Sequence, residues 1–281
     1  MREKMKTYRS HPFSFIFFIL VTLSIIITVS IFLFLVGYII IKGVPYLKPS
    51  LFEFTYNSNN VSVMPAIITT LYMVGLSLLV AVPFGVFCAV YLVEYAKRGN
   101  KLVKVIRVTA ETLSGIPSIV YGLFGMLFFV TALGWGFSLL AGAFTLAIMI
   151  LPLIIRSTEE ALKAVDDSYR EGSFGLGAGK LRTVFKIVIP SASSGILAGI
   201  ILAIGRVIGE TAALIYTAGT VAKVPTSVFD SGRTLAIHMY ALSSEGLHTN
   251  EANATAVVLL ILVFGMNYLA AFIAKRLQKG R

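Results

Sequence analysis

Residues 13–41 read FSFIFFILVTLSIIITVSIFLFLVGYIII, without one charged side chain. A helix rises about 1.5 Å per residue and the bilayer core is about 30 Å thick, so about 20 apolar residues are enough to cross it. The basic segment MREKMKTYRSH stands before this stretch, as in a secretory leader. A leader's apolar region, however, runs only about 7–15 residues and ends at a small-residue cleavage site, so a retained membrane anchor is expected here.

The rest of the chain has the same character. Of 281 residues, 57% are apolar and 13% charged, against about 25% charged in soluble domains. Windows long and apolar enough to span lie near 13–41, 63–94, 112–133, 135–155, 191–219 and 254–274, which predicts an all-α integral membrane protein with six transmembrane helices. Basic loops stay cytoplasmic. With the N-terminus inside, only Lys42, Lys48, Lys223 and Arg233 of the 24 Lys and Arg fall outside, and Arg206 falls within a span. Both termini are therefore expected in the cytoplasm. The net charge of +11 follows from this topology and calls for no nucleic-acid partner.

Residues 1–62 form a tail, first span and external loop, and residues 63–281 a core of five spans. Pro83 falls mid-span, Pro117 follows Gly115 near the start of the third span, Pro152 is expected to end the fourth and Pro190 to open the fifth. Proline frees backbone carbonyls or bends helices, which lipid tolerates only where protein or a wet cavity satisfies them. Outside, LAIHMYAL at 235–242 predicts a short helix lying on the membrane or on a partner through Leu235, Met239 and Leu242. The cytoplasmic segment 156–190 reads RSTEEALKAVDDSYREGSFGLGAGKLRTVFKIVIP. Ser168 followed by Glu171 has capping-box spacing, so a short helix is expected to start there and to break at the following glycines.

Catalytic chemistry is hard to find in the sequence. GLGAGK lacks a P-loop's first Gly, with Phe at 174, and its Ser or Thr, with Leu181 after Lys180. His11, His238 and His248 have no metal-ligand spacing, and Cys88 has no partner for an internal disulfide. Neither a metal nor a cofactor is expected on this chain, and no catalytic residue is assigned.

The fifth span is the anomaly: GIILAIGRVIGETAALIYTAG at 199–219 carries Arg206 and Glu210 in its middle. Four apart, they are expected on one helix face. A charge at the bilayer centre costs at least about 2.5–3.5 kcal/mol, so it is retained only facing protein or water.

The cytoplasmic segment has a recognisable pattern. Glu171-Gly172-Ser173, three residues, Gly177, nine residues, then Ile187-Val188-Ile189-Pro190 resembles the EAA loop of ABC importer permeases, with Gly172, Ser173 and Ile189 departing from its consensus. SGIPSIVYGLFGMLFFV at 114–130, GRVIGETAALIYTAG at 205–219 and GRTLAIHMYALSSEG at 232–246 resemble phosphate ABC transporter permeases of the PstA type.

The resemblance implies a type I importer permease in a bacterial or archaeal cytoplasmic membrane. It implies a PstC-like second permease, two copies of a PstB-like ATPase that uses ATP and Mg, and a phosphate-binding protein outside. Ser168, Glu171, Gly172, Ser173, Gly177, Ile187 and Pro190 would then form the ATPase-coupling loop. Arg206 becomes a candidate phosphate ligand, since a guanidinium is a planar fork of donors that stays charged. Glu210 would hold and partly neutralise Arg206, accept a hydrogen bond from protonated phosphate, or pair with Arg206 only to fix packing. Thr211 would add a hydroxyl or bond back to its own helix. Ser114, Gly115, Pro117 and Ser118 would open a helix and aim free amides at the anion. Two other readings compete: a permease for another oxyanion, and an ion-coupled carrier or channel using the Arg206–Glu210 pair.

Overall fold

The computed structural model describes residues 12–97 and 99–279. Arg2, Lys4, Lys6 and Arg9 of the basic tail lie outside the described residues, as do Arg98 and Arg281. Every regular element that is described is helical. Among the described residues five helices are long and apolar enough to cross a bilayer, six when one bent pair counts as a single span.

The first span, α1 (Pro12–Gly43), keeps its apolar stretch unburied and packs along the last helix. Lipid is the natural cover for a helix apolar on all sides. The second, α2 (Met64–Val90), runs through Pro83 and ends in a π-helical turn, Tyr91–Tyr95.

The third span departs from expectation. An unexpected helix precedes it, α3 (Lys101–Ser114), which turns by 104° into α4 (Ser118–Gly125), and α4 continues π-helically over Met126–Ala132. Hydropathy hid α3 because it is amphipathic: Val103, Ile106 and Leu113 pack inward while Lys104, Arg107 and Glu111 share the other side.

The fourth span, α5 (Leu139–Lys163), is capped by Ser138, whose Oγ accepts the Ala141 amide at 3.2 Å. Pro152 does not end it but lies inside. The helix persists because its last turns leave the apolar zone as helix, supported by the i,i+4 pairs Arg156–Glu160 and Glu159–Lys163.

After the cytoplasmic helix α6 (Asp167–Gly175), α7 (Lys180–Thr183), a π-helical turn at Val184–Val188 and α8 (Ile189–Ile208) form the fifth span. Pro190 therefore sits within a continuing helix instead of opening it. The preceding π turn relaxes the backbone where proline offers no N–H. The span stops at 208, well short of 219, and a single turn, α9 (Ala212–Ile215), follows. External α10 (Leu235–Glu245) and the last span, α11 (Thr249–Lys279), complete the chain.

The core lies where α2, α5 and α8 cross, around Met73, Leu146, Ile150, Ile154 and Ile208. External α10 does not rest on the membrane through Leu235 and Leu242, which are buried against this chain's own Val63 and Val61. The Leu235 amide donates to Thr70 Oγ1 at 2.9 Å. Beside it His238 is 1% exposed, edge-on to the Tyr56 ring and 3.4 Å from Arg233.

Candidate translocation site and coupling loop

Two helix breaks meet inside the bundle. The first separates α3 from α4 at Gly115-Ile116-Pro117, where Pro117 caps α4 with extended backbone. The Gly115 and Ile116 amides still reach back to Thr112 and Leu113 carbonyls, both at 3.1 Å. Tyr121, 5% exposed, donates its Oη to the Leu113 carbonyl at 2.7 Å and so ties the two halves across the turn. The carbonyls that a helix end leaves without partners are satisfied in this way.

The second break follows Ile208. Gly209 and Glu210 amides close the last turn of α8 on Gly205 and Val207 carbonyls, and Thr211 (φ −123°, ψ −55°) leaves helical geometry before α9. Glu210 Oε1 accepts the Ala213 amide at 3.0 Å, capping α9. Gly122 of α4 lies against Ala213: a Cβ built there would stand 2.8 Å from the Ala213 Cα. Only glycine lets the two broken helices approach so closely.

The break separates the two charges expected on one face. Arg206 remains on α8 and is exposed, whereas Glu210 lies beyond the helix end and is 9% exposed. None of the ion pairs among the described residues joins them. Glu210 is occupied as a cap because a carboxylate suits the amide-rich start of a helix. Arg206 has no hydrogen bond or ion pair among the described residues, and it faces a cavity of about 450 Å³.

That cavity brings Arg206 together with Ser114, which is distant in sequence, beside Met149 and Pro152 of α5. Ser114 itself donates to the Glu111 carbonyl at 2.7 Å. Gly115 and Pro117 are exposed at the adjoining turn and Ser118 is half-buried. Glu210 and Thr211 do not line the cavity wall. Sequence reasoning passed over Arg107 of α3 and, further along α5, Glu159 and Lys163, which line the same cavity. The Glu159–Lys163 spacing was the available signal, but nothing in the sequence ties either to Arg107.

The cytoplasmic loop is ordered by other residues than expected. Helix α6 is capped by Asp166, whose Oδ1 accepts the Ser168 amide at 2.8 Å, so Ser168 is inside the helix. The Ser168 hydroxyl first, and its amide second, hold the Asp166 carboxyl below its ordinary pKa. The aspartate charge adds to the capping bond at the positive end of the helix. Glu171 and Gly172 are exposed, but Ser173 is buried and shares a hydrogen bond with Thr183 Oγ1 at 2.8 Å.

Gly177 (φ +79°) closes the helix: its amide bonds to the Phe174 carbonyl and that of Ala178 to Ser173, a Schellman ending that needs the left-handed residue. Ile187 and Pro190 lie in the following helix. Tyr169, Phe174 and Leu176 stand exposed on the loop.

Arg170 pins this loop to the spans. Its guanidinium binds Glu94 Oε1 at 2.8 Å and the carbonyls of Leu162 and Val165 at 2.9 and 2.7 Å. Neither Arg170 nor Glu94 was identified from sequence.

Residues 81–281 match the family described as binding-protein-dependent transport system inner membrane component. The chain is 35% identical over 274 residues to the probable ABC transporter permease protein YqgI of Bacillus subtilis, covering 90% of this chain and 92% of that protein. It is 36% identical over 208 residues to the phosphate transport system permease protein PstA of Mycobacterium leprae, covering 72% and 68%.

Among solved structures, a bacterial alginate ABC transporter in complex with alginate pentasaccharide-bound periplasmic protein gives a TM-score of 0.66 at 14% identity, over 92% of this chain and 95% of that one. Inward-facing MetNI methionine ABC transporter gives 0.59 at 21%, over 76% and 94%. At these identities the structures speak to the fold alone. This chain belongs to the binding-protein-dependent transport system inner membrane component family, and is a multi-pass inner-membrane permease of an ABC importer.

Proposed function

We propose that the chain is the PstA-type permease of an inorganic phosphate importer, with residues 63–281 as its working core and residues 1–62 as an added anchor and external loop. The observation that carries this reading is Arg206: a guanidinium without a partner among the described residues, facing a cavity, in a chain similar to phosphate-system permeases. A fixed fork of donors holds two oxygens of a tetrahedral anion at once. Glu210 is turned to capping and leaves that fork free.

Phosphate arrives from a binding protein outside and passes between this chain and a PstC-like permease. Ser114 lines the path with Arg206, and the turn at Gly115, Pro117 and Ser118 adjoins it. Two copies of a PstB-like ATPase, which hold the ATP and Mg, dock on α6 and its exposed Tyr169, Phe174 and Leu176. Their closure is passed on through Arg170 to the ends of α2 and α5.

The test is labelled-phosphate uptake by the purified complex in vesicles containing ATP, with sulfate and molybdate as competitors. ATP-dependent phosphate uptake that neither competitor suppresses is expected. Uptake of sulfate or molybdate in place of phosphate would assign another oxyanion, and transport without an ATPase an ion-coupled carrier.

A further inference from the structure

The cavity continues past Arg206 towards the cytoplasmic end of α5. There Glu159, its side chain 9% exposed, places one oxygen, Oε1, 2.7 Å from Arg107 Nη2 of α3 and 2.6 Å from Lys163 Nζ of α5. Both contacts are ion pairs by distance but are not aligned as hydrogen bonds. The two cations are 44% and 53% exposed, and both line the cavity. One carboxylate thus sets two cations side by side while neutralising only one of them.

A guanidinium carries five N–H donors and an ammonium three, so contacts to a single oxygen leave most of them unused. The rest of the wall does not cancel this excess: Arg156 is paired with Glu160 at 3.4 Å, and the lining as a whole sets the cations Arg107, Arg156, Lys163 and Arg206 against only Glu111, Glu159 and Glu160. Lys163 lies about 21 Å along α5 from Met149, which lines the cavity together with Arg206. An anion leaving Arg206 passes apolar wall at Met149 and Leu153 before it reaches these cations.

We propose that Arg107 and Lys163, held together by Glu159, form a second oxyanion site at the cytoplasmic end of the cavity, occupied by phosphate after it leaves Arg206. The inference rests on the phosphate reading of that cavity. Glu159 weakens the site enough for release. A lipid headgroup offers the same phosphate chemistry at this depth. The free ion is favoured because the two cations flank a buried carboxylate between α3 and α5, in the cavity that Arg206 also lines.

The test uses the complete importer in phosphatidylcholine vesicles, with ATP and graded phosphate inside, which is the cytoplasmic side. Internal phosphate should slow initial uptake by occupying the site from within. Arg107→Gln and Lys163→Gln should each raise the half-inhibiting concentration about tenfold, as expected for losing a charge-assisted contact. Glu159→Gln should lower it, because the cations then go unneutralised. This opposite sign separates an anion site from a structural bridge, for which all three changes would act alike.

Internal inhibition that is unchanged in all three variants would overturn the site while leaving the phosphate reading intact. Inhibition that needs added phosphatidylglycerol would assign the cluster to lipid and overturn it too. No phosphate uptake by the unmodified importer would overturn both.

Discussion

Arg170, on the cytoplasmic helix, and Glu94, at the end of the second span, meet at 2.8 Å although 76 residues separate them. Their side chains are only 14% and 8% exposed, and the same guanidinium also holds carbonyls of Leu162 and Val165 at the end of α5. The helix proposed to meet the ATPase is thereby fastened to two spans by one side chain.

Arg170→Ala should uncouple the importer. Removing one partner of a buried ion pair costs about 3–5 kcal/mol because the other charge is left unpaired. The variant is expected to hydrolyse ATP without responding to loaded binding protein, with uptake lowered at least about tenfold. ATP hydrolysis and uptake measured together check this; preserved coupling in a normally assembled complex would contradict it.

Glu210→Gln and Glu210→Ala should differ. Glutamine retains an oxygen for the Ala213 amide, whereas alanine leaves a buried donor unpaired and should cost about 1–2 kcal/mol, seen as a lower melting temperature. If both variants lose uptake equally and melt normally, the carboxylate charge acts on the substrate rather than on α9.

Gly177→Val places a branched residue where φ is +79°. The left-handed conformation costs a side-chain-bearing residue about 1–2 kcal/mol, although space for the side chain is open. The Schellman ending should fray, with faster hydrogen exchange at the Gly177 and Ala178 amides and less ATPase copurifying. Unchanged exchange at both amides would refute this.

Acid should loosen the external cap. Burial, and secondarily Arg233, lower the His238 pKa to about 4 from an ordinary 6.5, while the Val61 carbonyl pulls weakly the other way. Between these values the unfolded chain binds a proton that the folded chain does not, so stability falls as pH drops from about 6.5 to about 4, by up to about 3 kcal/mol. His238→Gln should flatten the melting temperature across that interval. A profile as steep as the unmodified protein's would place the titration elsewhere.

The spans were legible wherever lipid sees the whole helix, because about 20 apolar residues leave little ambiguity. They were misplaced where protein covers one face. Helix α3 reads as a basic loop until Val103 is found against Leu92 and Ile155. The continuation through Pro152 likewise depends on ion pairs beyond the apolar window. Arg206 was conspicuous as a charge in an apolar run, but the break that parts it from Glu210 depends on Ala213 needing a cap and on Gly122 packing against it. Arg107 with Glu159, and Arg170 with Glu94, are meetings of distant helices that no local pattern encodes.

The most direct test of the whole reading is phosphate uptake by the assembled importer carrying Arg206→Ala, with ATP hydrolysis stimulated by loaded binding protein followed in the same vesicles. Loss of a two-pronged charge-assisted contact should lower uptake about a hundredfold while the subunits stay together, and Arg206→Lys, a point charge in place of a fork, should recover only part of it. Uptake near that of the unmodified importer in Arg206→Ala would contradict the claim that this guanidinium receives the anion.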